Sequence, residues 1–275
     1  MEKELIFEGR KVHYRREGKG PLVMLVHGFG EDSTVWDSQV LALKDKFSLL
    51  VPDLPGSGKS ELDPTPSMES MAAALKAILD IESGGYRETP ASGAEKLTMI
   101  GHSMGGYITL AFAEKYPESL QGFALFHSTA YADSGEKKTT RQKGIEFIRE
   151  HGAFEFLKAA TPNLFSAKTR DKRPELIDKQ IGSLRNFSAN TLVLYYQAMM
   201  QRPDRTAILR NTGLPVLFVM GPEDSAVPMK DMLEQCHLPR IAYIYELHES
   251  GHMGMLEETE RSNQILATYL SDINH

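Results

Sequence analysis

Cysteine is nearly missing from this chain. Of its 275 residues only Cys236 is one. That excludes an intrachain disulfide, and no metal-ligand spacing flanks it, so it reads as a small packed residue. A strong charge of either sign is also lacking. The formal net charge of −6 is mild for this length. The short basic stretches Lys137-Lys138 and Arg170-Asp171-Lys172-Arg173 are mixed with acids and read as solvated faces, not as a nucleic-acid surface. No apolar run approaches the length of a membrane span. The start, Met1-Glu2-Lys3-Glu4-Leu5, is charged and has no apolar signal-peptide core. Internal repeats and low-complexity tracts are absent as well. What remains is an ordinary globular composition, 41% hydrophobic and 25% charged. A cytoplasmic protein is expected, with a small-molecule substrate as its partner and neither nucleic acid nor membrane. No oligomeric state is specified.

The apolar residues form short runs separated by helical patterns. Leu5-Ile6-Phe7 and Lys11 to Arg15 alternate around Glu8-Gly9-Arg10 and predict an antiparallel hairpin. Pro21 to Val26, Phe47 to Pro52, Leu97 to Ile100, Leu120 to Phe126, Pro215 to Met220 and Ile241 to Leu247 are the runs expected of strands buried in a sheet. Between them, helical spacing predicts helices over Val35 to Lys44, Ser67 to Ile81 with Ser67 as N-cap, Gly106 to Lys115, Pro228 to Gln235 and Glu257 to Leu270. The class is therefore α/β with a mostly parallel sheet of eight strands flanked by helices. One region breaks the alternation. From about Lys137 to Asn211 only amphipathic helical segments occur, which predicts a helical insertion after the sixth strand, residues 137–211. The core is then 1–136 and 212–275. Ser83 to Lys96, rich in Gly, Ser, Pro and Glu, reads as an exposed loop.

Gly101-His102-Ser103-Met104-Gly105 follows the run Leu97 to Ile100 and precedes a helical pattern, the strand–turn–helix setting of a nucleophile elbow. Such a turn pushes the serine hydroxyl out above the sheet edge. The glycines two residues to either side are needed where strand and helix leave no room for a Cβ. A serine hydroxyl is a poor nucleophile and needs a general base, which in turn needs a carboxylate to orient it. Asp224 follows the strand ending at Met220, and His252 follows the strand ending at Leu247. In a parallel sheet all three loops emerge on one edge. The loop His27-Gly28-Phe29-Gly30, after the strand ending at Val26, adds an oxyanion hole from the backbone N–H groups of Phe29 and Met104.

Taken together, His27 to Gly30, Asp53-Leu54-Pro55-Gly56-Ser57-Gly58-Lys59-Ser60, Gly101 to Gly106, Gly221-Pro222-Glu223-Asp224 through Val227-Pro228, and Gly251-His252 resemble the blocks of the α/β-hydrolase superfamily, in its order, over essentially the whole chain. The resemblance implies a cap-bearing, cofactor-free hydrolase, with the insertion as the helical cap and Ser103, Asp224 and His252 as catalytic triad. Many members of that superfamily are esterases and others cleave thioesters, lactones, amides or C–C bonds; a carboxylic ester hydrolase acting on a small, mainly apolar acyl substrate through an acyl-serine is expected. A C–C bond hydrolase or lyase-like relative, and a non-catalytic ligand receptor, are the alternatives.

Other features are weighed against this. His248-Glu249-Ser250-Gly251-His252 matches a zinc motif in letters, but Ser-Gly fills its middle and the segment follows a strand-like run, so no metal is expected. Gly56 to Ser60 resembles the tail of a phosphate loop, but Asp53 stands where the first glycine belongs. His102 is read as packing, and Glu223 as a rival to Asp224. Trp36, His127, Val227 and Met253 are candidate pocket residues, with a packed role as the alternative for Trp36 and His127. Met199-Met200 is read as helix packing.

Overall fold

The computed structural model describes residues 1–84 and 96–274, so most of the loop expected over Ser83 to Lys96 lies outside the described residues. Eight strands form one sheet: β1 (Glu2–Phe7), β2 (Arg10–Glu17), β3 (Leu22–Val26), β4 (Ser48–Pro52), β5 (Leu97–His102), β6 (Leu120–Phe126), β7 (Pro215–Met220) and β8 (Ile241–Glu246). Their spatial order is β1-β2-β4-β3-β5-β6-β7-β8. β1 pairs antiparallel with β2 in a register that sets Leu5 opposite Val12, and β2 pairs antiparallel with β4. Every other pairing is parallel. β3 and β4 are buried along their whole length, as continuous apolar runs between two helical layers must be.

Six helices belong to these layers: α1 (Asp37–Leu43), α2 (Met68–Glu82), α3 (Met104–Lys115) and, after the stretch described next, α10 (Met229–Leu233), α11 (Gly254–Glu257) and α12 (Thr259–Ile273). On one face α2 and α3 bury Met71, Leu75, Ile108 and Phe112 against Met24, Met99 and Phe123 of the strands. On the other, α1 and α12 bury Val40, Leu266 and Leu270 against Val23, Leu25 and Leu217. Each such side chain contributes roughly 1.5–3 kcal/mol when fully removed from water. Ser67 caps α2: its hydroxyl accepts the Ser70 N–H, while the Ser70 hydroxyl accepts the Ser67 N–H.

Between β6 and β7 the chain forms α4 (Gly135–His151), α5 (Ala153–Ala160), α6 (Ala167–Lys172), α7 (Pro174–Ser183), α8 (Ala189–Gln201) and α9 (Thr206–Asn211), with no strand among the described residues. This stretch has an apolar cluster of its own around Ile145, Ile148, Leu157 and Leu192. It is tied to the loop after β4 by the Tyr195 hydroxyl, which donates to the Pro55 carbonyl at 2.8 Å. α3 starts at Met104, two residues before the reading from periodicity. The expected single helix over Glu257 to Leu270 is two, broken at Glu258. The break lets the Glu257 carboxylate turn inward, where it accepts the Gly251 and Ser166 N–H groups at 2.8 Å each.

Candidate active site

β5 ends one residue before Ser103, and α3 begins one residue after it. Ser103 holds φ 51°, ψ −116°, a conformation costly for any side-chain-bearing residue and typical of functional turns. The flanking glycines explain how it is accommodated. A Cβ on Gly101 would lie 2.3 Å from the Gly105 carbonyl oxygen, and one on Gly105 2.4 Å from the Val26 carbonyl oxygen. The turn is anchored by the Ser103 N–H, which donates to the Phe126 carbonyl at 3.0 Å. The loop after β3 lies directly against it, since a Cβ on Gly28 would come within 3.1 Å of Ser103 Cβ. The Phe29 amide donates to no acceptor among the described residues, and Met104 opens α3, where first-turn amides have no intrahelical acceptor.

The loops after β7 and β8 bring Asp224 and His252 together. His252 Nδ1 lies 2.8 Å from one Asp224 oxygen and 3.0 Å from the other. The first of these oxygens is also 3.0 Å from His127 Nδ1, and the second accepts the Ala226 and Val227 N–H groups at 2.9 and 2.8 Å. Burial pushes the Asp224 carboxyl up, but the positive charge available on His252 and the hydrogen bonds from His127 and His252 outweigh it and hold the group well below the usual carboxylate range. With Nδ1 committed to the carboxylate, Nε2 is the nitrogen of His252 left for the cavity that Ser103 also lines. The Ser103 hydroxyl makes no hydrogen bond to that ring within 3.5 Å. A nucleophile–base contact of this kind commonly tightens only around substrate.

A buried chain lies behind these groups. Glu31 accepts the Gly28 N–H at 2.7 Å and pairs with His102 Nδ1 at 3.0 Å, while His102 Nε2 lies 3.0 Å from the His252 carbonyl oxygen. Burial disfavours charge on both side chains. Their mutual attraction and hydrogen bonding outweigh it, raising the His102 pKa and lowering that of Glu31. This buried His102–Glu31 pair ties the loop of Gly28 to the backbone of the His252 loop. Sequence reading gave His102 only a packing role and passed over Glu31. Their separation of 71 residues hides the pairing from any local pattern.

Ser103 and His252 open into a cavity of about 450 Å³, within the range that takes a small organic ligand. Val227 lines it; Met253 lines a smaller adjoining cavity of about 80 Å³. Two pocket candidates are corrected. Trp36 is fully buried and packs edge-on to Phe126, 5.7 Å between ring centroids, away from the cavity wall. His127 is also fully buried, its ring turned onto Asp224. It follows β6 with φ 49°, and its Nε2 has no partner. Met199 and Lys137, read as helix packing and solvated face, both line the cavity, as do Tyr196 and Arg141. Phe29 stacks on Tyr196 of α8 at 4.2 Å, so the loop and the helical stretch meet over the serine.

The competing motifs separate cleanly. His248 is exposed and paired with Glu246, while His252 is buried on Asp224, so the two share no helix face. Glu223 is exposed and accepts the Ala167 N–H. Asp53 is consumed by the Ser33 and Lys59 N–H groups and by His13. Among the described residues, His127, Asp224 and His252 bring potential metal-ligand atoms within 4.8 Å of one another, but a cation there would take His252 Nδ1 from the carboxylate that orients it.

Comparisons with known proteins bear on the fold and the family. Residues 21–137 match the family described as alpha/beta hydrolase fold. A thermophilic esterase from Thermogutta terrifontis, its structure determined with malate bound, superposes with a TM-score of 0.90 at 28% identity, covering 100% of both chains. The chain has the α/β-hydrolase fold. RutD of Agrobacterium fabrum, a candidate carbamate hydrolase, is 29% identical over 79% of this chain and 80% of its own. The 3-oxoadipate enol-lactonase 1 of Acinetobacter baylyi is 24% identical over 92% and 90%. This α/β-hydrolase is thus an enzyme of the hydrolase class. No helix among its described residues is long and apolar enough to cross a membrane.

Proposed function

We propose that this α/β-hydrolase is a serine carboxylesterase that works through an acyl-serine. The observation that carries the reading is the convergence of a strained serine and an imidazole oriented by a carboxylate on one cavity, with the Phe29 loop lining the same cavity. His252 Nε2 takes the proton as Ser103 Oγ attacks the ester carbonyl. Asp224 stabilises the imidazolium that forms. The Phe29 and Met104 amides hold the oxyanion; a single such donor is worth about 10²–10³ in rate. His252 then protonates the departing alcohol, and a water deprotonated by the same ring releases the acid. The helices between β6 and β7 form the cap over the cavity, and the adjoining smaller chamber gives room for an acyl chain.

Esters and lactones share the carbonyl chemistry this site suits, and the esterase and enol-lactonase names among its relatives lie on the same line. Ser103→Ala is expected to lower kcat on a p-nitrophenyl ester by roughly 10⁶ and to abolish labelling by a fluorophosphonate. Turnover retained in that variant would remove Ser103 from the mechanism.

A further inference from the structure

The cavity wall contributed by α4 carries more positive charge than its own carboxylates match. Asp133, at the foot of this helix and fully buried, serves two guanidiniums at once. Arg141 Nε lies 2.6 Å from one of its oxygens, and Arg202 Nη1 lies 2.8 Å from the other. One carboxylate against two arginines leaves one positive charge over. Arg202 is closed off beneath the wall, its guanidinium 3.8 Å from the Tyr107 ring centroid. Arg141 reaches the cavity itself, over the Tyr196 ring. One turn earlier on the same helix, Lys137 lines the cavity half-buried. Its Nζ donates to the Ala226 carbonyl at 3.2 Å and has no carboxylate within 4.0 Å among the described residues.

Among the described residues, the other carboxylates nearby form no ion pair with Lys137 or Arg141. Glu31 is matched by His102. Asp224 is saturated by four N–H donors, from His127, His252, Ala226 and Val227. Glu136 is exposed at the rim. The chain as a whole carries −6, so its mean field repels anions, and a lysine that lines the cavity without a carboxylate partner is a local departure from that field. A wall built only for a neutral acyl chain has no use for a lysine that lacks a carboxylate partner.

Resting on the esterase reading for the position of the reacting carbonyl, we infer that the substrate carries a carboxylate away from the scissile ester, and that Lys137, with Arg141 behind it, receives that anion. The wall then accounts for its mixed character. Met199, Tyr196 and Val227 contact the carbon chain, and the α4 cations hold its far end. The expectation of a mainly apolar acyl substrate is refined to an acid-bearing one.

Two measurements separate this inference from the reading it rests on. In the first, methyl hydrogen glutarate is titrated calorimetrically into the Ser103→Ala protein, where no turnover intervenes. Binding is expected, and Lys137→Met added to that protein weakens it about ten- to hundredfold, the size of a lost charge-assisted hydrogen bond, whereas Lys137→Arg retains it. Absence of binding, or equal binding with and without the lysine, overturns the anion site. In the second, 4-nitrophenyl hydrogen glutarate and 4-nitrophenyl pentanoate, matched in chain length, are compared as substrates. The ratio of their kcat/KM values should favour the glutarate in the wild type and fall at least tenfold in Lys137→Met, with the change carried in KM. A ratio that does not move while both esters are cleaved contradicts the inference and leaves the esterase intact. Lysine-dependent binding of glutarate without cleavage of either ester contradicts the esterase and leaves the anion site standing.

Discussion

The sheet edge and the helical stretch above it meet at one cavity, yet they are built on different terms. The edge is made of short loops at the ends of the strands, and each side chain there is overdetermined. Ser103 is held by backbone strain, Asp224 by four N–H donors, and His252 by Asp224 through its ring and by the Leu164 carbonyl through its N–H, 2.7 Å away. The helical stretch presents long side chains, Lys137, Arg141, Tyr196 and Met199, whose positions depend on a smaller apolar cluster. Reaction chemistry needs groups fixed to within fractions of an ångström, whereas choice of substrate needs contacts that can be altered without moving those groups. On the proposed function, the two regions divide these tasks between them.

Substitutions on the edge should break that contrast most. Asp224→Asn keeps the shape but reverses the hydrogen-bonding sense on one side of the amide, and kcat is expected to fall by about 10⁴ in steady-state assays of an activated ester. A loss of less than tenfold would show that His252 does not depend on this carboxylate for its orientation.

Glu31→Gln tests the buried pair behind the edge. His102 has a raised pKa in the fold, so its share of stability is complete below its unfolded value of about 6.5 and is lost as pH rises through the folded one. Glu31 has a lowered pKa, so its share is complete above about 4.3 and is lost as pH falls. The variant should be less stable by about 3 kcal/mol near pH 6, with a smaller gap at pH 9, as read from urea unfolding midpoints. The same gap at both values would mean that the pair is not ionised.

His127 gives a finer probe. Its ring is a second N–H donor to the Asp224 oxygen that His252 uses. His127→Phe removes that donor and is expected to raise the Asp224 pKa and to move the acid limb of the kcat/KM profile to higher pH, with roughly a tenfold loss at pH 7. His127→Asn, which keeps a donor and tolerates the left-handed backbone at φ 49°, should restore most of the profile. An unmoved limb in His127→Phe would make the residue a packing element only. The smallest effect belongs far from the cavity. Ser67→Ala removes the cap of α2 at a cost of about 1 kcal/mol, and kcat should stay unchanged when assayed well below the melting transition.

The same two regions differ in how far they could be read in advance. Runs such as Leu22 to Val26 and Pro215 to Met220 are buried on both sides, so apolarity alone marks them as central strands. Ser103, Asp224 and His252 sit in short loops at strand ends, where glycine spacing and chain order carry information. Lys137 was hidden because a lysine on a charged helix has the same local signature whether it faces water or a cavity. Trp36 misled because an aromatic just after the loop of Phe29 satisfies either a pocket or a core, and packing against Phe126 decided it. The contact of His127 with Asp224 spans 97 residues and is created only when β6 and β7 lie side by side.

The central claim is that Ser103 becomes acylated, and it can be read directly. The wild-type protein is mixed briefly with p-nitrophenyl acetate, quenched in acid, digested and analysed by mass spectrometry. The account predicts an acetyl increment on the peptide containing Ser103, localised to that residue and absent in the Asp224→Asn protein at the same time point. An unmodified Ser103 under conditions where p-nitrophenol is released in an early burst would contradict it.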